Sequence, residues 1–255
     1  MKSPLSFKHT FLMPGLAIGI LAAGSVFCPN ARAASFTWNF TTASGNAGST
    51  GNSLSFSSSP SGGPSITATA WYLNGTVATG TLQKAALGQY SHGLGVCTPT
   101  ELGAGCLSPE HQVDNNTNYE FVLFKFASSV DPTSVTITST SGGDLDVTYY
   151  TGNVAASDLS GATLAGLSAL GFGAAVNDDS TLTTSRSVSI TSGFVNSMLF
   201  GARVSGDGNL DYFKIGDMAG NTPVVVTAVP EPFSVVLLGT VLLAVAHLMR
   251  KRRLA

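Results

Sequence analysis

The chain has 255 residues, with 12 Lys and Arg against 14 Asp and Glu for a formal net charge of −2, and 44% of it is hydrophobic. The charge is unevenly placed: Lys2, Lys8, Arg32 and Arg250 to Arg253 lie in the two ends together with Glu231, which leaves residues 34–228 with five cations, thirteen acids and a net charge of −8. So acidic a stretch is repelled by phosphate backbones, which argues against nucleic acid as a partner, and its wealth of Gly, Ser and Thr favours short strands and turns over long helices.

Residues 1–33 have the parts of a signal peptide. Lys2 and Lys8 form a basic start, Phe11 to Phe27 is apolar, and Ala31-Arg32-Ala33 supplies a small-x-small cleavage site before Ala34. Cys28 follows Phe27 rather than a small residue, so it does not read as a lipid-attachment cysteine and is expected to leave with the peptide. The chain is therefore expected to meet the general export machinery and signal peptidase.

Ser35 to Phe40 reads as an opening strand, with Phe36, Trp38 and Phe40 on one face. Residues 41–53 read as a loop, Leu54 to Ser57 as a short strand and Ser58 to Pro64 as a turn cluster. Ile66 to Leu73 and Thr76 to Gln83 flank Asn74-Gly75, a two-residue hairpin signal. A long loop is expected from Ala85 to Asn118; loops of that length in compact domains are usually functional or stapled.

That loop holds His92, Cys97, Cys106 and His111. In an exported chain Cys97 and Cys106 read first as a disulfide. The alternative is zinc, because the four residues form a symmetric H-x4-C-x8-C-x4-H pattern, although its spacing matches no common zinc module. His111 and Asp114 are the one local His/Asp pair and a candidate catalytic dyad, but Asp114-Asn115 also reads as a turn that bonds its own backbone.

Tyr119 to Phe126 is apolar on both faces, which predicts a central strand. Val135 to Thr140 and Leu145 to Tyr150 follow as strands. The glycines at 161, 166, 171 and 173 argue against one continuous helix over Ala155 to Val176. Leu182 to Ile190, Ser197 to Val204 and Asp211 to Ile215 complete the strands. Nine or ten short strands with regular turns predict an all-β, antiparallel β-sandwich of jelly-roll type over 34–220, then a Val-rich linker over 221–228.

Two turns carry oxygen ligands of the kind calcium prefers: Asp144 and Asp146 in one, Asp207, Asn209 and Asp211 in the other. His111, Asp114 and Asn115 are further ligand candidates. Neither turn completes an EF-hand, and Asp and Asn are favoured in turns with no ion present. Trp71, Tyr72, Tyr149 and Tyr150 could stack on sugars if exposed, but read more simply as core residues. No G-x-S-x-G, H-E-x-x-H or P-loop pattern occurs in the sequence.

Residues 229–255 begin with Val229-Pro230-Glu231-Pro232, continue as an apolar run of 17 residues from Phe233 to Met249, and end with Arg250-Lys251-Arg252-Arg253. As a helix the run is about 26 Å long, just enough for a single pass through the membrane, with the basic end held in the cytoplasm. On hydropathy alone this is a plain C-terminal anchor. The three parts in this order resemble the PEP-CTERM sorting signal of Gram-negative bacteria, which is read by the membrane transpeptidase exosortase. The resemblance implies cleavage near Pro230-Glu231-Pro232 and transfer or release of the exported domain. Further landmarks look like exosortase-dependent surface proteins: Gly93-Leu94-Gly95-Val96, His111 to Asn115, Phe121 to Phe126 and Asp211 to Ile215.

The function expected from the sequence is that of a non-enzymatic surface or extracellular-matrix protein. It would be anchored first at the inner membrane, then delivered by exosortase to the cell surface or matrix, in a setting of exopolysaccharide or biofilm. The alternatives are a calcium-stabilised carbohydrate-binding module and an exported hydrolase acting through His111 and Asp114.

Overall fold

In the computed structural model of the chain, the described residues are 33–43, 45–102, 111–139, 143–204, 208–223 and 232–253. Among them thirteen strands form: β1 (Ser35–Asn39), β2 (Ser53–Phe56), β3 (Ile66–Asn74), β4 (Thr81–Lys84), β5 (Ala86–Tyr90), β6 (Gly93–Cys97), β7 (Val113–Asp114), β8 (Tyr119–Ser139), β9 (Val147–Gly152), β10 (Val176–Asp178), β11 (Arg186–Ser189), β12 (Val195–Ala202) and β13 (Tyr212–Asn221). Helix is confined to α1 (Pro99–Leu102), a 3-10 turn (Ala165–Leu170) and α2 (Pro232–Arg253). Every ladder between strands is antiparallel, as the alternation and turn spacing predict.

β8 ties two sheets together. Its first part pairs with β3 on one side and β12 on the other, and its second part pairs with β13 and β11. The first sheet runs from β2 and β4, which share one edge of β3, through β8 and β12 to β9 and β10. The second runs from β11 through β8 to β13, whose far edge carries β1, β7 and β6, with β5 outermost on β6. Their inner faces supply one core that includes Trp38, Phe40, Phe124, Phe200 and Phe213, all fully buried. Phe40 stacks on Phe124 with ring centroids 5.3 Å apart, which joins the two sheets through aromatic contact.

The predicted central strand belongs to β8, and its two apolar faces have separate uses. Val122, Phe124 and Phe126 enter the core between the sheets. Phe121 and Leu123 face outward into a second apolar layer with Trp71, Leu73, Leu82 and Leu199. Val154, Leu159, Leu164, Leu167 and Phe172 cover that layer. They come from the Gly-interrupted segment, which forms no continuous helix: its one short 3-10 turn ends at Gly171 in the left-handed region, φ 103°.

Five boundary expectations need correction. Residues Tyr119–Ser139 form one strand rather than two, because Pro132 lies opposite Gly220 beside a register shift, where a residue without an amide proton is tolerated. Asn74-Gly75 does not close a tight hairpin: Asn74 pairs with Thr81, and residues 75–80 form a wider turn with half-buried Val77 packed on the second apolar layer. The expected loop over 85–118 contains the β5–β6 hairpin, α1 and β7. Gly93 permits that hairpin, since its φ is 122° and a Cβ there would lie 2.1 Å from the Ile215 carbonyl oxygen. The strand expected from Leu182 shortens to β11, and the one from Asp211 extends to Asn221 as β13.

The domain comprises residues 33–224 as one compact unit. The C-terminal segment forms α2 by itself, with Arg250 to Arg253 in its last turn. Among the described residues no helix is long and apolar enough to cross a membrane. The expected membrane segment, Phe233 to Met249, lies within α2, and the four cations follow it directly in the last turn. The signal peptide before Ala33, most of the linker, and Val229, Pro230 and Glu231 lie outside the described residues.

Candidate functional site

The two acidic turns, distant in sequence, meet at the entries to β9 and β13. Asp144 and Asp211 form an isolated parallel bridge, in which the Asp144 amide donates to the Leu210 carbonyl at 3.1 Å and the Tyr212 amide donates to the Asp144 carbonyl at 3.1 Å. This short bridge brings carboxylate oxygens of Asp144, Asp146 and Asp211 within 4.8 Å of one another. Asp146 and Asp211 are each 1% exposed. Asn209 joins through its amide, 3.4 Å from Asp144 Oδ2. Asn115 is locked onto Asp211: its Nδ2 donates to Asp211 Oδ2 at 2.6 Å, and its Oδ1 accepts from the Asp211 amide at 2.9 Å. Asp207 lies outside the described residues.

Arg203, at the end of β12, is the cation of this cluster. Its Nη1 donates to Asp146 Oδ2 at 3.0 Å and also pairs with Asp179. The other Asp146 oxygen accepts from the Ser180 amide, and Asp211 accepts from the amides of Asp146 at 3.1 Å and Arg203 at 3.3 Å. Burial pushes the Asp211 carboxyl up to about 7; the negative charges of Asp146 and Asp144 add to this, and the two backbone amides oppose it. The result is an oxygen-rich, largely dry site where acids outnumber cations. Its donor set suits a hard divalent cation such as calcium. An incoming ion would take over the role that Arg203 and the raised proton affinity of Asp211 fill.

A second buried network lies on the other side of Asn115. Asp114, Glu120 and Lys214 are nearly fully buried. The Asp114 amide donates to Glu120 Oε2 at 3.1 Å, while Asp114 Oδ1 accepts from the Asn116 amide at 3.0 Å, the turn its sequence suggested. Lys214 Nζ donates to the His111 carbonyl and lies 4.0 Å above the Tyr90 ring centre. Burial raises Asp114 to about 6 and lowers Lys214 to about 8. Glu120 is pushed well above its ordinary value by burial, then by the charges of Asp114 and Glu101. His111 is buried beside Tyr90, with ring centroids 6.2 Å apart. Asp114 is thus engaged both in a turn and in a buried contact with Glu120.

The structure therefore divides the candidates. Asp144, Asp146, Asn209, Asp211 and Asn115 come together, while His111 and Asp114 belong to the second network. Arg203, Glu120 and Lys214 were missed, although a lone charge inside an apolar strand, as in Tyr119-Glu120-Phe121 and Phe213-Lys214-Ile215, is a readable sign of a buried network. Cys97 is fully buried and disulfide-bonded, so it cannot offer zinc a thiolate; Cys106 lies outside the described residues. Trp71, Tyr149 and Tyr150 are buried and Tyr72 packs against the core, so the aromatic sugar platform is replaced by the core reading. No family model, curated protein or solved structure matches the chain.

Proposed function

We propose that the chain is an exported, non-enzymatic surface or extracellular-matrix protein, with a jelly-roll-like β-sandwich delivered by a C-terminal sorting signal of the exosortase type. The observation that carries this reading is the order of parts after the domain: Pro230-Glu231-Pro232, the apolar helix α2, and Arg250 to Arg253 in its last turn. Two prolines around an acid at the start of the apolar segment offer a processing enzyme a distinctive sequence to read, and the basic end favours retention on the cytoplasmic side. Signal peptidase and the general export machinery act first. The tail then holds the precursor at the membrane until exosortase acts, and the domain passes to a surface rich in exopolysaccharide.

The test is the intact mass and location of the protein in hosts with and without exosortase. Loss of the C-terminal segment is expected only where exosortase is present. Glu231→Ala, or replacement of Pro230 and Pro232 together, is expected to abolish that loss while the domain stays folded. Processing of either variant at the unmodified rate overturns the sorting assignment.

The meeting of Asp144, Asp146 and Asp211 favours a second reading that is compatible with the first, a structural calcium site. A ligand present at a hundredfold its Kd stabilises by about 2.7 kcal/mol, and each kcal/mol moves the unfolding midpoint of a domain this size by about 2–4 °C. Millimolar calcium at pH 8 is therefore expected to raise the midpoint by about 5–10 °C, magnesium less, and Asp144→Asn is expected to reduce the effect. A midpoint indifferent to calcium removes this reading.

A further inference from the structure

β1 and β6 both pair with the far edge of β13, and they part company in its middle. β1 pairs as far as Asn39 opposite Asp217, and β6 arrives at Leu94 opposite Ile215. Gly216 lies between them, at a register shift in the pairing of β13 with β8, and its carbonyl accepts from the Phe40 amide at 3.0 Å. The fork opens a cleft of about 490 Å³ on the outer face of this sheet, lined by residues that include Asn39, His92, Thr136, Thr138, Gly216 and Asp217. Gly216 leaves space at its floor: a Cβ there would meet Thr136, His92 and Thr138 only at 3.6–3.7 Å, ordinary contact distances, so any larger side chain would grow into the cleft.

The chemistry of this cleft is narrow. Hydroxyls come from threonines on neighbouring strands, a carboxylate from Asp217 and an imidazole from His92, whose Nδ1 is 3.2 Å from Ser91 Oγ. Among the described residues, the side chains of Thr136, Thr138 and Asp217 make no hydrogen bond or ion pair within the protein. Asn39 Oδ1 is occupied by Thr41, so the amide offers its donor end. The one large apolar side chain at the cleft, Trp38, is fully buried. No cation lines it, and all five Lys and Arg of the domain are engaged elsewhere: Lys84 with Asp158, Lys125 with Val154 and Ser197, Arg186 with Asp178, Arg203 with Asp146, and Lys214 with His111. A phosphate, sulfate or uronate would face the carboxylate of Asp217 with no Lys or Arg to balance it, and no large apolar side chain is exposed in the cleft to anchor an apolar segment. Mixed donors and acceptors around one carboxylate match vicinal hydroxyl groups, each of which both donates and accepts.

We propose that the cleft between β1, the β5–β6 turn and β8, floored by Gly216 and lined by Asp217, is a binding site for a neutral saccharide chain. The site holds its ligand by hydrogen bonds to hydroxyls rather than by aromatic stacking. It stands apart from the acidic cluster and does not depend on the sorting assignment.

The test is calorimetric titration of the purified full-length chain, kept in a zwitterionic detergent without sugar headgroups. The probes are cello-, laminari-, manno- and galacto-hexaoses, with hexagalacturonate as the anionic control. At least one neutral hexaose is expected to bind with a Kd between about 10 μM and 1 mM, and hexagalacturonate is expected not to bind. Gly216→Val, which fills the floor, is expected to weaken binding at least tenfold. Asp217→Asn, which keeps the shape and removes the charge, is expected to weaken it about fivefold, with an unfolding midpoint near that of the unmodified protein. If Gly216→Val fails to fold, Asp217→Asn and Thr138→Val on the half-buried rim decide the matter. The proposal is overturned if no neutral hexaose binds below 5 mM, if hexagalacturonate binds equally well, or if the folded variants bind as tightly as the unmodified protein. Binding that a chelator abolishes would locate the site at the acidic cluster and also overturn it.

Discussion

Replacing Arg203 by methionine is expected to destabilise the domain by about 3–5 kcal/mol at pH 8, the usual result of removing one partner from a buried ion pair. Asp146 is 1% exposed and receives Arg203 Nη1 at 3.0 Å, so the substitution leaves a buried carboxylate beside Asp211 and Asp144 with no cation to balance them. The loss should be smaller at pH 5, where Asp211, raised to about 7, carries a proton and the cluster holds one negative charge fewer. Urea unfolding of the two proteins at both pH values measures this directly. A cost under 1 kcal/mol at pH 8, or the same cost at both pH values, would show that Arg203 is not the balancing charge of the cluster.

The second large effect is an inverted pH dependence of stability. Asp114 and Asp211 are raised from 3.8 to about 6 and about 7 in the folded protein, and Glu120 is raised well above 4.5. A folded state that holds protons more tightly than the unfolded chain is stabilised by them. The contribution is complete below the unfolded values and is lost as pH rises through about 6 and 7. Lys214, lowered to about 8, acts in the next window: above 8 the unfolded chain retains its proton longer, so stability recovers toward 10.5 as pH rises. The minimum is therefore expected near pH 8. Between pH 5 and pH 8 Asp114 and Asp211 together change stability by about 4 kcal/mol, at about 1.4 kcal/mol per pKa unit, and Glu120 acts in the same direction. The unfolding midpoint should be about 10 °C higher at pH 5 than at pH 8 in calcium-free buffer. Asp114→Asn with Asp211→Asn should flatten the profile, and a midpoint that rises from pH 5 to pH 8 would contradict this assignment of the buried acids.

Periodicity revealed the parts of this domain where side chains alternate cleanly. The eight residues from Tyr119 to Phe126 announced a strand buried on both faces, and the two apolar layers around β8 bear that out. Asp144, Asp146 and Asp211 were legible as oxygen donors in turns, since Asp near Gly suits both a turn and a hard cation. That the two turns meet depends on the Asp144–Asp211 bridge, a long-range pairing with no local sign. The β5–β6 hairpin was hidden because Gly88, Gly93 and Gly95 dilute its pattern. The same glycines are required by space: a Cβ on Gly95 would lie 1.8 Å from the His111 carbonyl oxygen. The expected gap between Phe126 and Val135 is filled by continuous strand, whose pairing turns irregular at Pro132. The cleft at Gly216 had no local signature, because its residues come from four separated segments and gain meaning only through register.

The last strand of the domain has a consequence for timing. β13 supplies the central pairing of its sheet, holding β8 on one edge and β1, β6 and β7 on the other, and Ser35 pairs with Asn221 across almost the whole domain. No subset of the earlier strands can close the core around Phe213, Ile215 and Met218. A growing chain must therefore remain open until residue 221 has been made, and contacts between distant residues form slowly even then. Closure of this sheet therefore waits on the arrival of the ten residues of β13.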